Sequence, residues 1–178
     1  MSAKNLIFYL FALTILLGLT TVVKGWVSLA VIPFWIGGLI GIFLPEIDHL
    51  IYAYFLHPHE YDSQRMQRMM NQGQIIQSVE MGSETRQNHR GMTFHNSSFQ
   101  IIFLLFSLFV VTSTGSLLGR GIVLAFLLNL VIDQYFDLRV KGNIDDWLNG
   151  LKMKLTREQT NFYVLLQLAA IIILALLF

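Results

Sequence analysis

The chain has 178 residues, 54% of them hydrophobic and 13% charged, with a mean hydropathy of +0.59 and a formal net charge of +1. A soluble domain carries about 25% charged residues, so the composition excludes an ordinary water-soluble globule, and the lack of a basic patch excludes a typical nucleic-acid binder. Cysteine is absent, which removes disulfides and thiolate metal sites and leaves only nitrogen and oxygen donors.

A helix that crosses the hydrocarbon core needs about 20 apolar residues. Five segments meet that length, at about 5–23, 26–44, 98–118, 121–138 and 161–178. The chain therefore reads as an all-α integral membrane protein, a single membrane domain over 1–178 with about five transmembrane helices. The first segment is too long for a secretory h-region and has no small-residue cleavage pattern before Lys24, so it is read as retained. The second ends at Pro45. Two long polar stretches, about 46–97 and 139–160, separate the second span from the third and the fourth from the fifth.

Orientation follows from the basic residues. With the N-terminus in the cytoplasm, ten of the twelve lie inside: Lys4, Arg65, Arg68, Arg86, Arg90, Arg139, Lys141, Lys152, Lys154 and Arg157. Only Lys24 and Arg120 fall outside. Both polar stretches are then cytoplasmic and the C-terminus is external. All five histidines and all eleven acidic residues gather at that inner edge. Within the first stretch, residues 61–87 are rich in Gln, Met and Arg. They predict an amphipathic surface helix with Met66, Met69, Met70, Ile75, Ile76 and Val79 on its apolar side, or a lid over a site. Exposed methionines would also suit an adaptable protein partner.

Three segments carry the chemistry. In Pro45-Glu46-Ile47-Asp48-His49, the proline suits the first turn of a new helix, and Glu46 and His49 share a face at i,i+3. A favourable helix dipole accounts for Glu46 but not for His49. Next comes His89-Arg90-Gly91-Met92-Thr93-Phe94-His95, where imidazoles suit a metal and arginine suits phosphate. The competing reading is a polar turn at the lipid headgroups. In the fourth span, Asn129, Asp133 and Asp137 stand four apart and form one polar stripe. Asp133 lies about one turn inside the membrane edge, where an ionised carboxylate costs several kcal/mol unless it is paired. It calls for a bound cation or for an arginine such as Arg90. Converging imidazole and carboxylate groups suit a divalent transition metal, Zn or Mn foremost, and the number of carboxylates leaves room for two ions. His57 and His59, which flank Pro58, are weaker candidates.

The order Leu-Pro-Glu-Ile-Asp-His, then His-Arg-Gly-x-Thr…His, then an acid on the next helix resembles the membrane-bound metal-dependent hydrolases, also called LexA-binding, inner-membrane-associated hydrolases. That family's pattern is a P-D-x-D-H segment after a glycine-bearing helix, then H-R-x-x-T-H-S, then H-x-x-x-D. The likeness covers roughly residues 37–137, and Gly37, Gly38 and Gly41 agree with the glycine-bearing helix. Glu46 stands where the family has aspartate, Phe94 shifts the second histidine by one residue, and Asn129 replaces a histidine. The resemblance implies Asp48, His49, His89, His95 and Asp133 as metal ligands, Arg90 on an anionic substrate, and a prokaryotic-type inner membrane.

The expected function is metal-dependent hydrolysis of a phosphate ester at the cytoplasmic face, with Glu46 or Asp137 as general base. A site at headgroup depth favours a membrane lipid or lipid-linked phosphate as substrate. The alternative is a non-catalytic anchor or complex subunit that meets a protein partner through the inner loops. An ion or proton carrier using Asp133 is disfavoured, because no pseudo-repeat is evident.

Overall fold

The computed structural model describes residues 3–85, 92–113, 115–151 and 153–177, and every regular element among them is helical. The α-helices among the described residues are α1 (Ala3–Val23), α2 (Ile32–Phe43), α3 (Ile47–Ile51), α4 (Tyr61–Asn71), α5 (Ile75–Glu84), α6 (Ser97–Ser113), α7 (Leu117–Lys141), α8 (Asp145–Leu148) and α9 (Arg157–Leu177). Helix α7 is the axis. Residues 123–134 along it are all buried, from Val123 to Gln134, against α1, α2, α6 and α9. The outer helices expose long apolar faces instead, including Ile7, Phe11 and Leu19 on α1, Ile102 and Leu105 on α6, and Leu165 and Ile173 on α9. Surfaces of that size on a water-soluble monomer would be unusual.

Among the described residues, four helical segments are long and apolar enough to cross a membrane: Leu6–Val23, Leu29–Leu56, Leu117–Lys141 and Arg157–Leu177. Five had been expected. The difference lies in α6, whose 17 residues span about 25 Å. The cause is the short polar link after Ser113. Ser116 caps α7, its hydroxyl accepting from the Gly119 N–H at 3.1 Å. Leu117 and Leu118, expected at the end of the third span, therefore begin the next helix.

The second span does not stop at Pro45 as expected. Pro45 has no N–H to offer the preceding turn, so the ladder tightens into a 3-10 turn over Leu44–Glu46 and resumes as α3. A π-turn at Tyr52–Leu56 completes a helical path of 28 residues from Leu29. Near the irregularity, Asn129 of α7 donates its side-chain amide to the Ile42 carbonyl at 2.5 Å.

Helices α2 and α7 meet backbone to backbone. A Cβ added at Gly37, Gly41 or Gly121 would collide with the main-chain oxygen of Leu118, Ile122 or Phe34 respectively. Glycine at these three positions is therefore a steric requirement of the crossing.

Neither polar stretch is simply a loop. In 46–97, α4 and α5 form a helical hairpin that turns at Gly73, whose φ of +75° suits glycine. Met66 and Met81 point inward and pack with Ala53, with Leu50 and Met69 alongside. The expected methionine face is thus corrected: these side chains anchor the hairpin to α3, and Tyr61, Ile75 and Ile76 are the exposed apolar groups. In 139–160, Gly142 at φ +74° terminates α7 and donates its N–H to Leu138 O at 3.0 Å. The chain then folds back. Ile144, Trp147 and Leu148 pack on Phe126 and Leu130, so this segment belongs to the core.

Candidate functional site

Asp48 of α3 is fully buried and receives four donors. The Thr93 N–H reaches its Oδ1 at 2.9 Å, and the Phe94 and His95 N–H groups reach Oδ2 at 2.7 and 3.3 Å. His95 Nδ1 completes the set at 2.8 Å. Four hydrogen bonds are about the full capacity of a carboxylate. Asp48 thus pins the segment ahead of α6 to α3, and its charge is stabilised by directed N–H groups rather than by water.

The same contact fixes the imidazole. An ionised carboxylate only accepts, so Nδ1 carries a proton and Nε2 is directed elsewhere. Nε2 faces Asp133 Oδ2 at 3.1 Å. The other oxygen of Asp133 accepts from the Tyr9 hydroxyl at 2.5 Å. All four side chains are buried, none more than 7% exposed. Helices α1, α3 and α7 and the lead into α6 are therefore tied by one continuous chain of hydrogen bonds: Asp48, His95, Asp133, Tyr9.

Glu46 and His49 flank this chain. They share a face as the i,i+3 spacing predicts, with His49 Nε2 3.8 Å from Glu46 Oε2. The His49 and His95 rings are 5.9 Å apart, and Glu46 is within electrostatic reach of both Asp133 and His95. Gly82 of α5 lies over His49, where an added Cβ would stand 3.1 Å from the His49 Cβ. Helix α5 therefore packs directly over His49. A groove of about 280 Å³ runs between α1, α2 and α5, with Leu6, Phe43, Ile75, Ile76 and Val79 as its apolar walls and Glu46 and Glu80 among its lining.

The remaining candidates fall differently. Asp137 is buried, but its Oδ2 accepts from the Trp147 indole at 2.7 Å. The indole ring in turn stands 5.2 Å from the His95 ring. Asn129 serves the α2 backbone, as described above. His57 pairs with Glu60 at 3.4 Å near the surface and packs on Tyr52. His89 and Arg90 lie outside the described residues. Among the described residues, no three of His, Asp and Glu already surround a common ion position.

Two members of the site were not anticipated. Tyr9 is the only tyrosine in the first apolar segment, and a polar hydroxyl at that depth needs a partner, which was the available signal. Trp147 sits in a stretch that composition marks as a loop. Replacing Trp147 with phenylalanine keeps one aromatic ring but removes the N–H and the pyrrole ring's packing, and should cost about 1–3 kcal/mol. Thermal unfolding in detergent would show this as a lowered midpoint, and an unchanged midpoint would mean the indole bond contributes nothing.

No protein-family model, no curated protein and no solved structure matches the chain.

Proposed function

We propose that the chain is a metal-dependent hydrolase of the cytoplasmic face of a prokaryotic-type inner membrane, acting on the phosphate ester of a lipid or lipid-linked molecule. The observation that carries the reading is the Asp48–His95–Asp133 arrangement. A carboxylate that orients an imidazole from behind, leaving the far nitrogen for a cation, is a recurrent outer-shell device of metal sites. The 3.1 Å between His95 Nε2 and Asp133 Oδ2 is close to the separation of two neighbouring ligands on one ion, given bond lengths of about 2.0–2.2 Å. The nitrogen and oxygen donor set suits Zn or Mn.

On this reading His95, Asp133 and His49 hold the ion, together with His89 by sequence. Asp48, implied by the resemblance as a ligand, is instead a positioning residue, because its oxygens are already engaged by four donors. Asp137 likewise passes from candidate base to the acceptor that holds Trp147. Glu46 becomes the proton acceptor, next to His49 and at the groove. Tyr9 holds the second oxygen of Asp133 and restricts which oxygen turns toward the ion. Arg90 keeps its proposed role on the phosphate by sequence alone. A divalent ion, when bound, would polarise the phosphoryl oxygen and acidify a water. The apolar groove beside Glu46 supports an acyl-bearing substrate that enters sideways from the bilayer, and α5 excludes water above His49.

The test is elemental analysis of purified, detergent-solubilised protein, coupled to phosphate release from phosphatidic acid in mixed micelles. The wild type should carry stoichiometric Zn or Mn and release phosphate. Asp133→Asn preserves shape and the Tyr9 contact, and should lose both metal and turnover. Stoichiometric metal in that variant would remove Asp133 from the ligand set. A folded, metal-free wild type would favour the non-catalytic anchor.

A further inference from the structure

The α4–α5 hairpin is sealed on one side and bare on another. Ser78 and Met81 of α5 are buried, and the Ser78 hydroxyl donates to the Met66 carbonyl at 3.0 Å. Gln67 donates its amide to the Ala53 carbonyl at 2.6 Å, which fastens α4 to the end of the second span. Gly82 packs on His49, as described above. With these contacts in place, α5 cannot roll to hide its other side. That side carries Ile75 at 57% exposure and Ile76 at 81%. Ile76, Val79 and Glu80 follow at i, i+3 and i+4 and so share a face. Two exposed isoleucines on an ordinary surface would need no explanation. Here their neighbours set them apart.

Ile75, Ile76 and Val79 share the groove beside Glu46 with Leu6 of α1 and Phe43 of α2. Leu6 opens the first apolar run of membrane length, and Phe43 lies within the second. The start of α5 therefore stands beside the spans themselves. Their apolar surface continues on both sides of the groove, through exposed Ile7 and Phe11 on α1 and exposed Leu39, Phe43 and Ile47 along the second span. Ile75 and Ile76 extend that strip onto the hairpin. Between residues 61 and 82, the exposed charged side chains are Arg65 and Arg68, both cationic. Cations suit the anionic surface of an inner leaflet. The exposed Gln72, Gln74 and Gln77 around the turn are uncharged and can bond to headgroups.

We propose that the α4–α5 hairpin is seated in the lipid surface, with Ile75 and Ile76 in the hydrocarbon boundary of the inner leaflet. Interfacial segments bury their apolar side about 5–10 Å into that boundary. The partner is lipid rather than protein, because the bare face is continuous with the surfaces of α1 and α2 that a membrane would cover. The surface helix expected from the sequence thus keeps its membrane but changes its contact residues: Met66 and Met81 face inward, and Ile75 and Ile76 face the lipid. Gly82 lies on the same ten-residue helix, so the lipid contact and the packing over His49 move as one piece. The proposal rests on the membrane placement of α1 and α2 and not on the hydrolase reading.

The chain has no cysteine, so a single introduced cysteine reports one place. Ile76→Cys and, as a second position, Ile75→Cys carry a nitrobenzoxadiazole dye on the full chain in nanodiscs of phosphatidylcholine and phosphatidylglycerol. Phe11→Cys, on the exposed face of α1, is the lipid reference. His59→Cys, in the exposed link before α4, is the aqueous reference. The quenchers are iodide in the water and phosphatidylcholine with a nitroxide on its acyl chain close to the headgroup. Dye at 75 and 76 should emit to the blue of dye at 59, be quenched by the nitroxide lipid and be several-fold less sensitive to iodide. Emission and iodide access equal to those at 59 would overturn the proposal. Protection from both quenchers would assign the face to protein, a second copy included, and would overturn it as well. If Phe11→Cys also escapes the nitroxide lipid, the membrane placement fails and the proposal falls with it. Lipid quenching at 11 without any at 75 and 76 removes the proposal alone.

Discussion

Asp133→Ala is expected to lower stability by about 3–5 kcal/mol, the typical cost of removing one partner from a buried, hydrogen-bonded charged set. The substitution removes the oxygen that accepts from the Tyr9 hydroxyl and the one that faces His95 Nε2, and both residues are buried. It also unties α1 from α7, since that hydrogen bond joins residues 124 positions apart. Thermal or SDS-induced unfolding in detergent is the measurement. Asp133→Asn is the informative companion. Its amide keeps an acceptor for Tyr9 and offers a donor to His95 Nε2, so most of the stability should return. If alanine and asparagine are equally destabilising, the charge matters more than the hydrogen bonds. If neither destabilises, the buried chain from Asp48 to Tyr9 does not hold the helices together.

The second large effect is steric. Gly121→Leu should prevent native packing of α2 on α7, because the first added carbon already overlaps the Phe34 carbonyl. Overpacked cores usually lose 1–3 kcal/mol, roughly speaking, through side chains that shift aside. Here the obstacle is backbone on both sides, so the helices themselves must separate. Size-exclusion chromatography after heating should show the variant aggregating well below the wild type, with Gly41→Leu behaving alike because its Cβ would strike the Ile122 backbone. Gly115→Leu is the control: an added Cβ there meets nothing within 4 Å, and the variant should be unaffected. A Gly121→Leu protein with native chromatographic behaviour would show that the crossing can widen without penalty.

The helical class was legible because apolar runs of membrane length have few alternatives, and the placement of α1, α7 and α9 required little beyond hydropathy. Asp48, His95 and Asp133 were legible by type and position, since each is polar where the surrounding chain is not. Their roles were not. That Asp48 is saturated by the N–H groups of Thr93, Phe94 and His95 depends on how a segment 45 residues later folds over it, and no local pattern carries that information. Tyr9 was hidden because a single tyrosine in an apolar run is ordinary. Trp147 was hidden because Gly142 sends the chain back into the core, while the polarity of Asp145 and Asp146 suggests an exposed loop. Met66 and Met69 were legible as one apolar helix face, but they cover Ala53 and Leu50 rather than a membrane surface, because amphipathicity identifies a face and not what it covers. Gly37 and Gly41 carry a resemblance in sequence, whereas the need for glycine at 121 arises only from the contact between the two backbones.

The long reach between Tyr9 and Asp133 also has a consequence in time. At a synthesis rate of about 5–20 residues per second, the ribosome delivers Asp133 roughly 6–25 s after Tyr9. During that interval α1 and α2 exist without the helix they are shaped to receive. The glycine groove of α2 lies vacant until α7 is made. The α2–α7 crossing and the Tyr9–Asp133 hydrogen bond can therefore form only after most of the chain has been made.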